Sequence, residues 1–406
     1  MLRVVKFGGT SVGTPARLRN AAKSIERQVR RGHRVVVVVS AMGQSTDEIL
    51  HLLGGLKVSV SDRATDEILS LGERMSVRLI WALLEAYGVP SVFLDPTMRE
   101  WPIASDSNFR NANVDIEATR ANCRDYLLPL LDQGIVPVIC GFLGRDAKGR
   151  VTTLGRGASD QSAFLVGYCL EADEVVIVTD VEGVMSADPR LVKSPRLLRS
   201  IYVEELWDLS MGGAQVMNSK ALNYKLPNQR ARIVHYRSKN LDSGGTEILG
   251  SSNPGIEVTM ADSPVCPVTI VGEKMSQVSG LLATFSEALA RKDINILSVS
   301  TGSWSISFFV YLDKAETALR TLHDVVLRQG PAKAVTKGDR CAMITISGRK
   351  LIHTPGIVAR VFAPLGEKRM NVVEVSTSKA EITIFVNWGD RQAAHGLILE
   401  AVKRLV

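Results

Sequence analysis

The first 245 residues alternate between short runs of β-branched residues and stretches with helical periodicity. The runs predict strands over residues 3–7, 34–39, 91–94, 136–140, 174–178 and 232–235. The intervening patterns predict helices over residues 17–31, 65–87, 115–133 and 160–170. Strands and helices in alternation form a mostly parallel sheet with helices on both faces, which is an α/β fold. Ligands bind such sheets at the carboxyl ends of the strands, so the residues after each strand carry the functional information.

The first strand leads into a glycine-rich junction made of Lys6, Phe7, Gly8, Gly9, Thr10 and Ser11. Thr14 followed by Pro15 predicts the N-cap and first turn of a helix. Because Gly8 and Gly9 carry no Cβ, a polyphosphate can approach their amides, and Lys6 adds a full positive charge. The lysine precedes the glycines, so the motif is neither a Walker A loop nor a dinucleotide fingerprint. An ordinary turn with a surface lysine would read the same way, so the junction alone leaves both interpretations open.

A second glycine-rich turn, Gly155-Arg156-Gly157, leads into the helix predicted over residues 160–170. We expect Ser159 or Asp160 to cap this helix, so that its first amides face an anion. Arg156 can grip a carboxylate with two parallel hydrogen bonds, which lysine cannot do. The turn is therefore a second candidate site for an anionic ligand.

Composition limits the class of protein and its partners. The chain has 406 residues, of which 45% are apolar, which suits a globular protein of two or three domains. Its net charge of +7 is dispersed, without a basic tail or nucleic-acid motif, so we expect anionic small substrates rather than nucleic acid. The five cysteines show no metal-binding spacing, and no apolar run is long enough for a membrane, so we expect a cytoplasmic protein with reduced thiols and no metal site of its own.

The C-terminal part of the sequence repeats itself at one constant offset and without gaps. The matching segments are residues 268–272 and 344–348, 280–283 and 356–359, 294–296 and 370–372, and 306–310 and 382–386. Each copy reads strand, helix, strand, strand, helix, which is the order of a ferredoxin-like βαββαβ unit. The first copy can end with a strand over residues 332–336, whereas no such segment follows the last helix of the second copy. We expect residues 256–261 to fill that edge, and we also expect sheet-to-sheet dimerisation, since an open edge invites pairing.

These patterns predict the domain organisation. A catalytic domain covers residues 1–245, and a linker rich in Ser, Gly and Asn over residues 241–255 ends it. Residues 246–267 contain linker and the strand contributed to the second repeat. The first repeat unit covers residues 268–340, and the second covers residues 341–406.

The segment Lys6–Val12, which reads KFGGTSV, resembles the opening signature of the aspartate kinases, within the amino-acid kinase family. Residues 152–160 resemble a second signature of that family, which usually contains GRGGSD, and the repeats resemble its paired ACT regulatory domains. The resemblance covers nearly the whole chain. It implies a mostly parallel sheet sandwiched by helices, followed by two ferredoxin-like ACT units. It also implies transfer of the γ-phosphoryl group of ATP, with Mg²⁺ carried by the nucleotide, to the β-carboxylate of L-aspartate. The product, 4-phospho-L-aspartate, is the first intermediate toward lysine, threonine, methionine and diaminopimelate.

The resemblance also implies the acceptor site. In the family, the VSAMG segment and a following Thr-Asp pair form part of the substrate pocket, which here are Ser40, Thr46 and Asp47. By the same resemblance Glu73 holds the amino group of aspartate, Arg156 holds its carboxylate, and Ser159 adjoins them. Asp160 orients the phosphate-binding lysines, so the implied catalytic residues are Lys6, Arg156 and Asp160. Residues 105–112 resemble the family segment TDxNFGNA and are expected to help close the pocket, although Arg110 replaces its glycine.

Residues 179–190 resemble the nucleotide segment TDVxGVYxADPR of the family. The implied nucleotide contacts are Lys6, Gly8, Gly9, Thr10, Ser11, Thr179, Asp180, Met185, Asp188, Arg190 and Gln215. Two of these depart from the family pattern: Met185 stands where tyrosine is usual, and Gln215 replaces the lysine of GAKVLHP. A missing cation can slow phosphoryl transfer by orders of magnitude. Either Lys220 or Lys225 compensates, or the enzyme is slow.

The ACT units imply an amino-acid effector and self-association. The implied effector contacts are Gln277, Gly280, Asn295 and Ile296 in the first copy, and Pro355, Gly356 and Asn371 in the second. Caps and turns of a purely structural dimer module would explain the same residues. We expect a homodimer through the ACT units or a higher homo-oligomer. Two other functions stay open: a kinase for another carboxylate acceptor such as glutamate, and a weakly active or non-catalytic amino-acid-binding paralogue.

Overall fold

A computed structural model of the chain describes residues 1–214, 216–238, 240–251, 255–328 and 330–404, without the side chains of residues 352 and 353. The chain divides into two units, Met1–Ser252 and Asn253–Val406. Each unit has a sheet and a hydrophobic core of its own. Among the described residues, no helix combines the length and the apolar composition needed to cross a bilayer.

The first unit is organised around a central sheet. Its strands are β1 Leu2–Phe7, β2 Arg34–Val39, β3 Ser91–Leu94, β4 Val136–Cys140, β5 Leu143–Arg145, β6 Val151–Thr153, β7 Glu174–Thr179, β8 Ser200–Tyr202, β9 Arg230–His235 and β10 Thr246–Leu249. Eight of them form one sheet in the order β3-β4-β2-β1-β7-β9-β10-β8, and β5 pairs with β6 in a separate hairpin. The neighbours in the large sheet are parallel except for β9 and β10. The α/β fold predicted from the alternation is confirmed.

Helices cover both faces of this sheet. They are α1 Gly9–Val12, α2 Pro15–Arg30, α3 Ser45–Gly55, α4 Asp62–Ala86, α5 Ile116–Asn122, α6 Leu128–Asp132, α7 Ala158–Cys169 and α8 Val203–Met211. A π-helical turn, Cys123–Leu127, joins α5 to α6, and a 3₁₀ helix spans Ser219–Tyr224. The predicted N-cap of α2 is confirmed, since Thr14 accepts a hydrogen bond from the Arg17 amide and Pro15 opens the helix. Every residue of β1 and β4 is buried, as expected for parallel strands with helices on both sides.

The segment expected to be a linker contains strand β10. Thr246 and Ile248 are buried and alternate with more exposed residues. The Thr246 hydroxyl donates to the carbonyl of Leu198 over 2.6 Å and accepts from the amide of Val184 over 2.8 Å. The strand has four residues and follows Ser-Gly-Gly, so its local composition is that of a loop. Tertiary hydrogen bonds, rather than local propensity, make it a strand.

The second unit contains the sequence repeat. Its strands are β11 Glu257–Met260, β12 Val265–Gly272, β13 Ser298–Thr301, β14 Ser305–Tyr311, β15 Ala332–Lys337, β16 Cys341–Ser347, β17 Val372–Thr377 and β18 Glu381–Asn387. Its helices are α9 Leu281–Ala290, α10 Leu312–Val326, α11 Ile357–Glu367 and α12 Arg391–Lys403, with 3₁₀ helices at Met275–Gln277, Arg349–His353 and Trp388–Asp390.

Both repeats have the ferredoxin-like strand order. The first copy pairs its strands as β15-β12-β14-β13, and the second pairs them as β11-β16-β18-β17, all antiparallel. Strand β11 precedes the first copy in the chain but pairs with β16 of the second, from Glu257 opposite Ser347 to Met260 opposite Ile344. The chain segment ahead of the first copy thus supplies an edge strand of the second.

The two copies meet at equivalent positions. Val265 of β12 pairs with Cys341 of β16, and the Cys341 thiol donates to the Val265 carbonyl, 76 residues away, over 3.3 Å. Phe309 and Phe385 occupy another equivalent pair, and their rings stack with centroids 4.1 Å apart. Contacts between like positions mean that the two copies are related by a local two-fold axis at this junction.

Two adjacent glycines before β10 provide a test of this packing. A Cβ on Gly245 would lie 1.9 Å from the carbonyl oxygen of Ile233, whereas one on Gly244 would meet nothing within 4 Å. Both have a left-handed φ, +69° and +79°, so each change to alanine costs about 1–2 kcal/mol of backbone strain. Gly245→Ala should cost at least about 2 kcal/mol more, because β9 must move. Thermal or urea unfolding of the two variants measures the difference, and equal losses would contradict the described packing of β9 against this turn.

Candidate active site

A cavity of about 380 Å³ opens where strands β1, β2 and β4 end. It is lined by residues that follow each of these strands, including Gly9, Ala41 and Phe142. Six acceptor-site residues predicted from the sequence line the same cavity: Ser40, Thr46, Asp47, Glu73, Arg156 and Ser159. They are far apart in the chain, and the sheet brings them together at one edge.

A buried ion pair lies beside this cavity. The ammonium group of Lys6, on β1, is 2.6 Å from a carboxylate oxygen of Asp160, in the first turn of α7. Each residue is only 8% exposed. The other Asp160 oxygen accepts a hydrogen bond from the Asn218 amide over 3.3 Å. The pair therefore links the glycine-rich junction after β1 to the helix that follows the Arg156 turn.

The two glycines at the junction make contacts within the fold. The Gly8 amide donates to the carbonyl of Val178 over 3.0 Å, and the Ser11 hydroxyl donates to the same oxygen over 3.1 Å. Both groups therefore also have partners within the fold, and their contact with phosphate stays a prediction. Gly9 opens α1, where the first helical amides have no intrahelical partner. A Cβ there would lie 2.7 Å from the carbonyl oxygen of Ala41, so glycine is also needed for this loop contact.

Glu73 presents a carboxylate oxygen that has no hydrogen-bond partner among the described residues. The residue is 3% exposed on α4, and its Oε1 accepts from the Ala41 amide over 3.2 Å, whereas Oε2 is the unpartnered atom. Burial raises the pKa of this carboxyl to about 7. Gly72 lets the helix approach the loop after β2, since a Cβ there would lie 2.9 Å from the Ala41 Cβ. An unpartnered carboxylate oxygen in a cavity is suited to a cationic group of a ligand.

The Arg156 turn carries an exposed guanidinium, and Arg156 also lines the cavity. Its Nη2 lies 3.6 Å from the Asp47 carboxylate, and its carbonyl accepts from the Asn218 side-chain amide over 3.0 Å. Helix α7 is capped by Gly157, with a left-handed φ of 73°, and not by Ser159 or Asp160 as expected. The left-handed turn sets the helix start two residues earlier, so both predicted caps lie in its first turn. Ala158 adopts helical geometry, so the methyl group that distinguishes it from the family glycine is accommodated.

Asp66 is a site residue that the sequence analysis missed. It is fully buried on α4. Its Oδ2 accepts from the amides of Arg110, over 2.9 Å, and Thr153, over 2.8 Å, and its Oδ1 accepts from the Thr153 hydroxyl over 2.9 Å. Burial raises the pKa of this carboxyl. The signal was its position, two helical turns before Glu73 on the same face of α4.

Three other lining residues that the sequence analysis missed are apolar. Leu50 and Leu69 contribute from α3 and α4, and Phe142 contributes from the segment between β4 and β5. Leucines on an amphipathic helix are interpreted as core residues, because the sequence pattern is the same for a leucine in the core and for one that lines a cavity. Phe142 has a left-handed φ of 67°, which sequence does not reveal for an aromatic residue.

The nucleotide candidates lie at the end of a different strand. Thr179 ends β7, which pairs with β1 so that Phe7 is opposite Val178, and Asp180 follows it on the surface. Asp188 and Arg190 form an ion pair of 2.7 Å in an exposed turn, and Met185 is half-buried and bridged to Leu197. None of the five lines the acceptor cavity within the described part of the chain. Because the sheet order is β2-β1-β7, Lys6 on β1 lies between the acceptor-site residues that follow β2 and the nucleotide candidates that follow β7.

The lysines considered as substitutes for the missing cation differ in environment, and Gln215 itself lies outside the described residues. Lys225 is buried, and its ammonium donates to the carbonyls of Gln229, over 2.9 Å, Leu226, over 3.3 Å, and Gly250. Three carbonyl partners hold it inside the fold, which excludes it as a substitute. Lys220 instead reaches the Asn111 side chain over 3.4 Å. In the described ranges, no cluster of three or more His, Cys, Asp or Glu side chains is arranged to hold a metal.

The effector candidates of the first repeat are separated within the unit. Gly280 begins α9 with a left-handed φ of 80°, just after Gln277, at the end of the sheet where β12 ends. Asn295 is exposed and Ile296 partly buried, ahead of β13 near the start of β12. The second repeat has the same arrangement: Gly356 begins α11 with a φ of 74°, preceded by exposed Pro355, and exposed Asn371 precedes β17. The structure does not bring Gly280 and Asn295 of one unit together.

A variant of Asp66 tests its structural part in the site. Asp66→Asn leaves fewer acceptor sites for three buried donors, so we expect it to lower the free energy of unfolding by about 2 kcal/mol. Asp62→Asn is the matched control, one turn earlier on α4, where the exposed carboxylate forms a 3.8 Å ion pair with Arg110. That change should cost less than about 1 kcal/mol. Urea unfolding measures both, and a control that loses as much as Asp66→Asn would show that the buried bonds contribute nothing specific.

Comparison with known proteins identifies the family. The sequence model of the amino acid kinase family matches residues 1–235, and models of the ACT domain match residues 268–326 and 337–397. Aspartokinase 2 of Bacillus subtilis is 32% identical over 96% of this chain and 94% of the relative. An aspartokinase of Thermus thermophilus is 31% identical over 95% and 94%. The crystal structure of an aspartate kinase from Synechocystis superposes with a TM-score of 0.78 at 27% identity, covering 99% of this chain and 69% of that one. The chain therefore belongs to the aspartokinases, in the amino acid kinase family, with two ACT domains following the kinase domain.

Proposed function

We propose that the protein is an aspartate kinase, which transfers the γ-phosphoryl group of ATP to the β-carboxylate of L-aspartate and forms 4-phospho-L-aspartate. The observation that carries the proposal is the buried pair of Lys6 and Asp160, because Lys6 lies on β1, between the strand that leads to the acceptor cavity and the strand that leads to the nucleotide candidates. Family membership supports the reaction class, and the aspartokinase relatives support aspartate as the acceptor. No residue of the described site favours another acceptor such as glutamate.

The acceptor side uses two opposite charges, Glu73 and Arg156, that line the same cavity. The unpartnered Oε2 of Glu73 binds the ammonium group of aspartate, because a buried carboxylate is stabilised by an opposite charge. Arg156 binds the α-carboxylate with its planar guanidinium, releasing its 3.6 Å contact with Asp47. Ser40, Thr46 and Ser159 line the same cavity. These contacts orient the β-carboxylate toward Lys6.

The reaction itself needs positioning and charge more than proton transfer. The β-carboxylate of aspartate is ionised at neutral pH and attacks as it is, so no general base is required. Lys6 neutralises the oxygens of the phosphoryl group in transfer, and Asp160 holds the ammonium group in place over 2.6 Å. The amide of Gly9, at the start of α1, provides a further donor on the same side.

The nucleotide is placed at the end of β7. Thr179, Asp180 and Met185 form the adenosine side, and Asp188 and Arg190 face the ribose and phosphates. Their location next to the strand that carries Lys6 supports this assignment. Mg²⁺ is proposed to arrive with ATP, bound to its phosphates.

The ACT units are proposed to bind an amino-acid end product and to form a homodimer. The separation of Gly280 from Asn295 within one unit supports a site made by two units, as a dimer of ACT domains would provide. Such regulation suits an enzyme at the first step of lysine, threonine, methionine and diaminopimelate synthesis.

A coupled assay of ADP release tests the activity. The wild-type protein should release ADP in a manner that depends on L-aspartate, and Lys6→Met should lower kcat by about 100-fold or more, because one stabilising cation is lost. Lys23→Met is the matched control, since Lys23 is exposed on α2, and it should leave kcat unchanged. A wild-type protein that binds ATP without aspartate-dependent turnover would contradict the proposal.

The pH dependence tests the part of Glu73. Its pKa is raised to about 7, and only the ionised carboxylate pairs with an ammonium group, so acceptor binding should weaken as the pH falls through that value. At saturating ATP, log(kcat/KM) for L-aspartate should fall by about one per pH unit below about 7 and be level just above it. In Glu73→Gln this limb should disappear and kcat/KM should be low throughout. If the limb persists in that variant, another group titrates and Glu73 does not bind the ammonium.

A further inference from the structure

Arg110 stands in a backbone conformation that favours glycine. Its φ is 71°, in the left-handed region where a side chain crowds the backbone. The family segment that residues 105–112 resemble has glycine at this place. An arginine kept in such a conformation beside a cavity points to a use for its side chain, since strain of this kind persists where the surroundings enforce it.

The surroundings do enforce this conformation. The Arg110 amide donates over 2.9 Å to the fully buried carboxylate of Asp66, which also holds Thr153 of strand β6. Arg110 and Thr153 both line the acceptor cavity. The backbone of Arg110 is thus fixed to the same helix that carries Glu73.

The guanidinium of Arg110 has little to hold it elsewhere. Among the described residues its ion pair is with Asp62, at 3.8 Å, and the two side chains are 42% and 69% exposed. An ion pair of that length and exposure contributes little. The guanidinium is therefore available to a ligand in the cavity.

The charges of the cavity leave a place for a second arginine. An amino dicarboxylate has two carboxylates and one ammonium group. Glu73 matches the ammonium, and Arg156, already near Asp47, matches one carboxylate. We propose that Arg110 is a second carboxylate-binding residue of the acceptor cavity and a determinant of specificity for dicarboxylic amino acids. This inference rests on the proposed function and adds a residue to its acceptor site.

Arg110→Gly is the decisive variant. Glycine adopts a left-handed φ without strain, so the variant should keep the fold. We expect KM for L-aspartate to rise about tenfold or more, with kcat within about threefold and KM for ATP unchanged. Arg110→Lys, which keeps the charge but loses the planar fork, should lie between the two. Arg369→Gly is the matched control: it makes the same change at a φ of 55° on an exposed site in the second unit, and should leave KM unchanged.

Calorimetric titration of L-aspartate in the presence of ADP supplies a readout that does not need turnover. The dissociation constant should rise with KM in Arg110→Gly, while the melting temperature stays level or increases. An unchanged KM and dissociation constant in Arg110→Gly, or a loss confined to kcat, would overturn this inference and leave the proposed function intact. A wild-type protein that neither binds nor phosphorylates L-aspartate would overturn both.

Discussion

The geometry of the kinase unit depends on the buried pair of Lys6 and Asp160. Two charges that are 8% exposed persist in a fold only when they neutralise each other, and here the ion pair is 2.6 Å long. It couples β1, the centre of the sheet, to α7, whose residues are almost all buried. Under the proposed function the Lys6 ammonium group stabilises the phosphoryl group in transfer, and the Asp160 carboxylate holds that ammonium group in position.

Six of the eight strands of the sheet could be predicted, because burial on both faces leaves continuous β-branched runs such as residues 35–39. Strands β8 and β10 were missed. Strand β10 depends on the hydrogen bonds of Thr246 to Leu198 and Val184, which lie far away in the chain, and β8 has three residues and pairs with β10. The caps of α7 were misplaced for a similar reason. Whether Gly157 adopts a left-handed φ depends on the folded turn and cannot be read from the local sequence.

Short motifs singled out the acceptor residues, and the sheet edge where they meet followed from the alternation of strands and helices. What motifs could not supply is how each group is used within the fold. The Gly8 amide bonds to Val178, and Gly9 is held close to Ala41, so the glycines have packing reasons besides any phosphate. Asp66 joins Arg110 and Thr153 across 44 and 87 residues, so its hydrogen bonds depend on contacts far away in the chain.

A crystal structure of the protein with ADP and L-aspartate tests the central claim most directly. The account predicts the aspartate ammonium within hydrogen-bond distance of Glu73 Oε2, its β-carboxylate facing Lys6, and the ADP phosphates on the β7 side of that lysine. A structure in which nucleotide and aspartate bind at sites that do not have Lys6 and Asp160 between them would contradict the account.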